Sequence, residues 1–159
     1  MKWLGSVLLL AGGYGLRRLL LQRYREHLEI GEELCRALDL LQQGIFHLRE
    51  PLPFLLRRCC RESRLLRPFW EALFTGVERE EIFDTLWTEA LTLLPEPYAA
   101  LWRPLGQALY LGAQEELLIL TREETHCVVR EDRRQKGERE KLVTALCLSG
   151  SLLLIVVFV

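Results

Sequence analysis

The sequence predicts an all-α fold: a bundle of about six helices flanked by a membrane-spanning helix at each end. Three observations carry this. No stretch sustains the period-two alternation of a half-buried strand. Apolar residues recur at helical spacing between Pro and Gly punctuation. Charge-free apolar runs stand at both ends. The expected division is a span over 1–21, a cytoplasmic helical body over 22–141 and a second span over 142–159.

The C-terminal run, 142–159, is eighteen residues without a charge. At about 1.5 Å per residue it covers about 27 Å, near the thickness of the hydrocarbon layer. The competing reading is a core helix of a soluble bundle. The run is apolar on every side, however, and a small bundle rarely encloses that. The N-terminal run, 3–16, is shorter and stops at Arg17 and Arg18. Lys2 before it and Ala11-Gly12-Gly13 within it would also suit a signal peptide. Leu19, Leu20 and Leu21 continue the apolar character beyond the arginines, which can snorkel, so a retained anchor is expected. Orientation follows from flanking charge. Arg17, Arg18, Arg23 and Arg25 follow the first run, and Arg133, Arg134, Lys136, Arg139 and Lys141 precede the second. Both asymmetries place the body on the cytoplasmic side.

Within the body, Leu34, Leu38, Leu41, Ile45 and Leu48 form one helical stripe that ends before Pro51. Pro53 suits the first turn of the next helix, which carries Phe54, Leu55, Leu56, Cys59 and Cys60. Arg67-Pro68 starts a third helix with Phe69, Trp70, Leu73 and Phe74, expected to stop at Gly76. A fourth is expected to open on Glu78, Glu80 and Glu81, acids placed to meet the helix dipole. It continues through Phe83, Trp87, Ala90, Leu91 and Leu94 until Pro95 and Pro97. The fifth holds Tyr98, Leu101, Trp102, Leu105 and Leu109. The last is expected to start near Gly112 and to run unbroken into the C-terminal span. Its segment 130–141 has ten charged residues of mixed sign in twelve. That pattern fits both a solvated helix surface and a stalk whose bases touch anionic lipid.

Composition and motifs narrow the function classes mostly by exclusion. A net charge of −1 argues against a nucleic-acid partner. Cys35, Cys59, Cys60, Cys127 and Cys147 include no Cys-x-x-Cys pair and read as reduced, mainly packing thiols. There is no Gly-rich phosphate loop, and His27, His47 and His126 lie far apart. Ser63 lacks a nucleophile-elbow context. Adjacent acids such as Glu32–Glu33, Glu80–Glu81 and Glu115–Glu116 read as surface charge. No catalytic residue, cofactor or metal ligand is therefore expected. The one place where a polar cluster could assemble an enzyme site is around His47, Glu50 and His126. Contact residues are the alternative to catalysis. Arg57, Arg58, Arg61, Arg64 and Arg67 form a basic cluster, which reads either as a solvated face or as a surface for an acidic partner or lipid headgroups.

The order of these features resembles the stage III sporulation protein AB family across essentially the whole chain. Gly44-Ile-Phe-His-Leu-Arg-Glu-Pro-Leu52 is similar to the family's acidic–hydrophobic segment closing on Pro-Leu. Trp87 in Ile82-Phe-Asp-Thr-Leu-Trp sits where the family carries a helix Trp, and Leu105-Gly106-Gln107-Ala108-Leu109 resembles its Gly-x-x-Leu-Gly stretch. Tyr110-Leu111-Gly112-Ala113-Gln114 departs from the family's longer, Asp-containing turn. The resemblance implies a soluble domain similar to the type II secretion F platform bundle, in the mother-cell membrane around the forespore. It implies a non-catalytic platform role in a secretion-like channel. The implied partners are an ATPase like stage III sporulation protein AA, other channel components and the lipid bilayer, and oligomer formation is left open. The alternative is a tail-anchored helical module that captures partner helices in a groove. The Leu-x-x-x-Gly-Asp and Asn-Trp-Gly-Arg segments such a module would carry are absent.

Overall fold

The computed structural model describes residues 2–110 and 115–158, without the side chains of 2–10, 151, 154, 155, 157 and 158. Among the described residues six α-helices follow one another: α1 (Lys2–Gln42), α2 (Leu52–Glu62), α3 (Arg67–Glu78), α4 (Phe83–Leu91), α5 (Tyr98–Tyr110) and α6 (Glu115–Phe158). A π-helical turn, Gln43–Leu48, closes α1. The described residues include no strand, so the all-α reading holds. The chain divides into two compact units, Glu29–Val129 and Met1–Leu28 with Arg130–Val159.

The core of Glu29–Val129 is built from the predicted stripes. Leu34, Leu38 and Leu41 of α1, Leu55, Leu56 and Cys59 of α2, and Phe69, Trp70 and Leu73 of α3 are buried. So are Phe83, Trp87, Ala90 and Leu91 of α4 with Leu94 beyond it, and Tyr98, Trp102, Leu105 and Leu109 of α5. Its centre is aromatic. Trp87 and Trp102 stack with centroids 6.3 Å apart and planes 7° apart, and Phe69 meets Trp70, Trp87 and Trp102 edge-on. Buried indoles need acceptors as well as packing. The Trp87 Nε1–H donates to the Trp102 carbonyl at 3.1 Å, and the Trp102 Nε1–H to Thr125 Oγ1 at 3.3 Å. Thr125 in turn donates to the Thr121 carbonyl at 2.7 Å, so the polar chain ends on the backbone of α6.

Three boundaries differ from expectation. The α1 stripe ends at Leu41. Ile45 is only half-buried and Leu48 is 53 % exposed. The π turn is the reason: its i→i+5 bonding adds a residue per turn and rotates the following face out of register. Gly44 takes the inward position instead. A Cβ there would lie 2.0 Å from Leu55 Cδ2, so only glycine lets α2 approach this closely. Gly76 likewise does not stop α3. It is buried two residues before the helix ends, and its bare Cα receives Leu86 from α4.

The fourth helix begins at Phe83, not at Glu78. Glu81 N–H donates to the Gly76 carbonyl and Glu80 N–H to the Val77 carbonyl, each at 3.1 Å. This is the Schellman closure of α3, and it places Glu80 in the left-handed region at φ 57°. The acids at 78–81 thus end one helix and do not begin the next.

In Met1–Leu28 with Arg130–Val159, side-chain contacts pair His27 with Asp132 at 3.4 Å and set the Arg139 guanidinium 4.7 Å over the Tyr24 ring, with a hydrogen bond to its hydroxyl. The helices are unbroken through Arg17 and Arg18 and from Glu115 to Phe158. Many of this unit's apolar side chains face outward: Leu16, Leu19, Leu142, Leu146, Leu148, Leu152 and Leu153 are all exposed. Among the described residues no helix is long and apolar enough to cross a membrane. The side chains of 3–10 in the first run and Val159 at the end of the second lie outside the described residues, as does the turn 111–114 with Gly112.

Candidate partner-contact surface

The basic cluster is an outward face. On α2, Leu55, Leu56 and Cys59 are buried, and Arg57, Arg58 and Arg61 lie outside the buried set together with Phe54 and Glu62. Arg57 and Arg61 are four apart and exposed, as i,i+4 neighbours on one face. Arg58 is half-buried, and its Nε lies 3.3 Å from Glu62 Oε1. Arg64 lies in the connection to α3 and Arg67 opens that helix, both exposed. Four of the five are thus exposed along residues 57–67, and Arg58 is in an ion pair.

The connection that carries Arg64 is fixed by a residue the sequence reading assigned to the surface. Glu33, on α1, is 8 % exposed. Its carboxylate accepts from three successive backbone N–H groups: Arg64 at 3.2 Å, Leu65 at 3.1 Å and Leu66 at 3.0 Å. Leu66 is the N-cap of α3, whose first turn holds no acid of its own. Glu33 supplies that negative charge from another helix, where the dipole and the unpaired N–H groups favour an anion. Its neighbour Glu32 is only half-buried, so the adjacent pair does split between two environments. One signal was available: Glu33 stands directly before Leu34 on the buried stripe.

The vicinal cysteines also divide. Burial pushes the Cys59 thiol up to about 12, the Glu62 charge adding in the same direction. Cys60 is half-buried and raised, first by desolvation and then by Glu71, while Arg67 opposes. Neither is held as a reactive thiolate. None of the five cysteines is in a disulfide.

The polar positions singled out for chemistry do not converge. His47 and His126 are exposed and Glu50 is half-buried, and among the described residues no hydrogen bond or ion pair joins them. Among the described residues no group of three or more His, Cys, Asp or Glu is placed to hold a metal ion. An open cleft of about 450 Å³ lies between α3 and α4, floored by Gly76, Leu86 and Ala90 and rimmed by Glu71, Glu81 and Glu89.

Two of the segments that carry the family resemblance meet in space. The indole of Trp87 lies directly on Gly106, where a Cβ would sit 2.3 Å from the ring. The helix Trp and the Leu-Gly of α5 are thus two halves of one packing contact. The model of the family described as stage III sporulation protein AB matches residues 2–159. No curated protein and no solved structure matches the chain.

Proposed function

Because this chain belongs to the stage III sporulation protein AB family, we propose that it is a membrane-held, non-catalytic platform component of a sporulation-specific, secretion-like channel. In this reading two terminal spans hold the helical body against the cytoplasmic face of the mother-cell membrane around the forespore. The body docks a secretion-type ATPase of the stage III sporulation protein AA kind and other channel components. The row of exposed leucines in Met1–Leu28 with Arg130–Val159 supports the membrane placement, since apolar surface of that extent needs a non-aqueous neighbour.

The observation that carries the docking role is the arginine face. Four of its five guanidinium groups are exposed, and a buried carboxylate fixes the backbone of the segment between α2 and α3. A cationic surface on a rigid support suits an acidic partner better than a loose solvated tail does. Charge reversal at Arg57, Arg58 and Arg61 should abolish co-purification of the ATPase under mild solubilisation and block spore maturation after engulfment. Normal sporulation and undiminished co-purification in that triple variant would reject the docking role. The cleft between α3 and α4 gives the helix-capture alternative a location. That alternative requires Ala72→Trp, at an exposed position lining the cleft, to abolish partner binding while charge reversal leaves it intact.

A further inference from the structure

A groove of about 700 Å³ opens in the unit formed by Met1–Leu28 and Arg130–Val159. Its lining is ordered by chemistry. Leu16, Leu19 and Leu20 supply one end, and Arg23, Tyr24 and Lys136 supply the middle. His27 and Asp132 lie beyond them, paired with each other at 3.4 Å. The contacts 27–132 and 24–139 run in opposite sequence order, so the two helices are antiparallel here and the gradient follows a single direction. The leucines stand on the side of the N-terminal apolar run, and the charges follow toward Glu29.

We infer that this groove binds one anionic phospholipid, its phosphate between Arg23 and Lys136 and the first segments of its acyl chains along Leu16, Leu19 and Leu20. The inference rests on the membrane-held reading above, and it adds a specific site to it. The three leucines are 56 %, 67 % and 48 % exposed, leaving an apolar wall for the ligand to cover. Two cations face the same space, and the one acid of the lining, Asp132, already faces His27. The volume falls within the range of about 300–1,000 Å³ over which proteins enclose small ligands. Tyr24 adds an amphipathic ring at the boundary, the usual level of tyrosine in a membrane interface. The guanidinium of Arg139 packs on that ring and so adds a third positive charge beside the groove. A soluble anion would use the two cations but leave the leucine wall uncovered, whereas a lipid fills both.

The test uses the full-length chain in neutral detergent with phosphatidylglycerol and phosphatidylcholine supplied equally, and counts retained lipid by native mass spectrometry. In parallel, flotation is measured on phosphatidylcholine vesicles with and without phosphatidylglycerol. Phosphatidylglycerol should be retained in preference to phosphatidylcholine. Arg23→Gln and Lys136→Gln should each cut that retention about fivefold, the value of one cation near an anionic surface. Arg23→Lys should keep it. Both glutamine variants should still float on phosphatidylcholine vesicles and keep wild-type helical circular dichroism. Equal retention of the two lipids by the wild type, or no change in the double glutamine variant, overturns the site while intact flotation leaves the membrane reading standing. Displacement of the lipid by soluble glycerol phosphate at the same concentration also overturns it, in favour of a free-phosphate site. Failure of the wild type to float on any vesicle removes the membrane reading and the site with it.

Discussion

Between Glu29 and Val129, Trp70, Trp87, Trp102 and Tyr98 are each 1 % exposed or less. In Met1–Leu28 with Arg130–Val159, Leu19, Leu146 and Leu152 are 67 %, 69 % and 67 % exposed. The same chain thus treats its apolar residues in two ways. In the first region the core aromatics are covered by other residues of the chain, with the Trp87 and Trp102 indoles donating to named acceptors, while Phe54, Ile82 and Tyr110 stay exposed at its surface. In the second, much apolar area is left for something outside the chain to cover, at a cost in water of about 25 cal/mol for each Å². The difference teaches where each region gets its order: one from its own packing, the other, on the reading proposed above, from lipid.

The comparison is broken most severely by damage to the aromatic core. Trp102→Ala removes the stack on Trp87 and the hydrogen bond to Thr125. It should cost about 3–5 kcal/mol in denaturant unfolding of the body. Membrane fractionation should be unchanged. Loss of both together would mean that the two regions are not independent in the way described.

The support beneath the arginine face comes next. Glu33→Gln keeps the shape but replaces a charge that accepts three N–H donors with an amide that must present some donors to them. A loss of about 1.5–3 kcal/mol is expected, the range for hydrogen bonds to a charged group. Hydrogen exchange should speed up at Arg64, Leu65 and Leu66 specifically. Unaltered protection there would show that the carboxylate does not hold the segment.

The core of the first region should also be sensitive to alkali. The Cys59 thiol is raised from 9.0 to about 12 by burial, so the folded state keeps its proton where the unfolded chain releases it. Its contribution is fully present below about pH 9 and is lost as pH rises toward 12, by up to about 1.4 kcal/mol per pH unit. Cys59→Ala lowers stability at neutral pH but should flatten that alkaline decline. Parallel curves for the two proteins would contradict the assignment.

The smallest effect has the opposite sign. Glu80 holds a left-handed conformation at φ 57°, which costs a side-chain-bearing residue about 1–2 kcal/mol relative to glycine. Glu80→Gly should therefore stabilise the body by about 1 kcal/mol, read as a rise in Tm. A fall would mean that the Glu80 side chain makes a contribution larger than its backbone strain.

Much of the first region was legible in the sequence. Phe83, Trp87, Ala90, Leu91 and Leu94 keep strict helical spacing between Gly and Pro punctuation, and that pattern reports burial directly. Pro53 and Pro68 sit in first turns where their missing N–H costs nothing. What was not legible depended on contacts between distant residues. Gly76 and Gly106 look like helix breakers, and only Leu86 and Trp87 arriving from α4 make them close-approach sites. Glu33 looks like half of a surface acid pair until the N–H groups of 64–66 are placed beside it, 31 to 33 residues away. The π turn at Gln43–Leu48 breaks a period that the residues themselves continue. The arginine cluster was visible as composition, but its rigid support was not.

The most direct test of the central claim uses two cysteines already present. Cys127 is exposed on the body and Cys147 lies in the C-terminal apolar run. In inside-out membrane vesicles carrying the full chain, a membrane-impermeant maleimide should label Cys127 at once, and Cys147 only after detergent is added, as read by peptide mass spectrometry. Labelling of Cys147 at the same rate as Cys127 without detergent would contradict a C-terminal helix in lipid, and with it the contrast between the two regions.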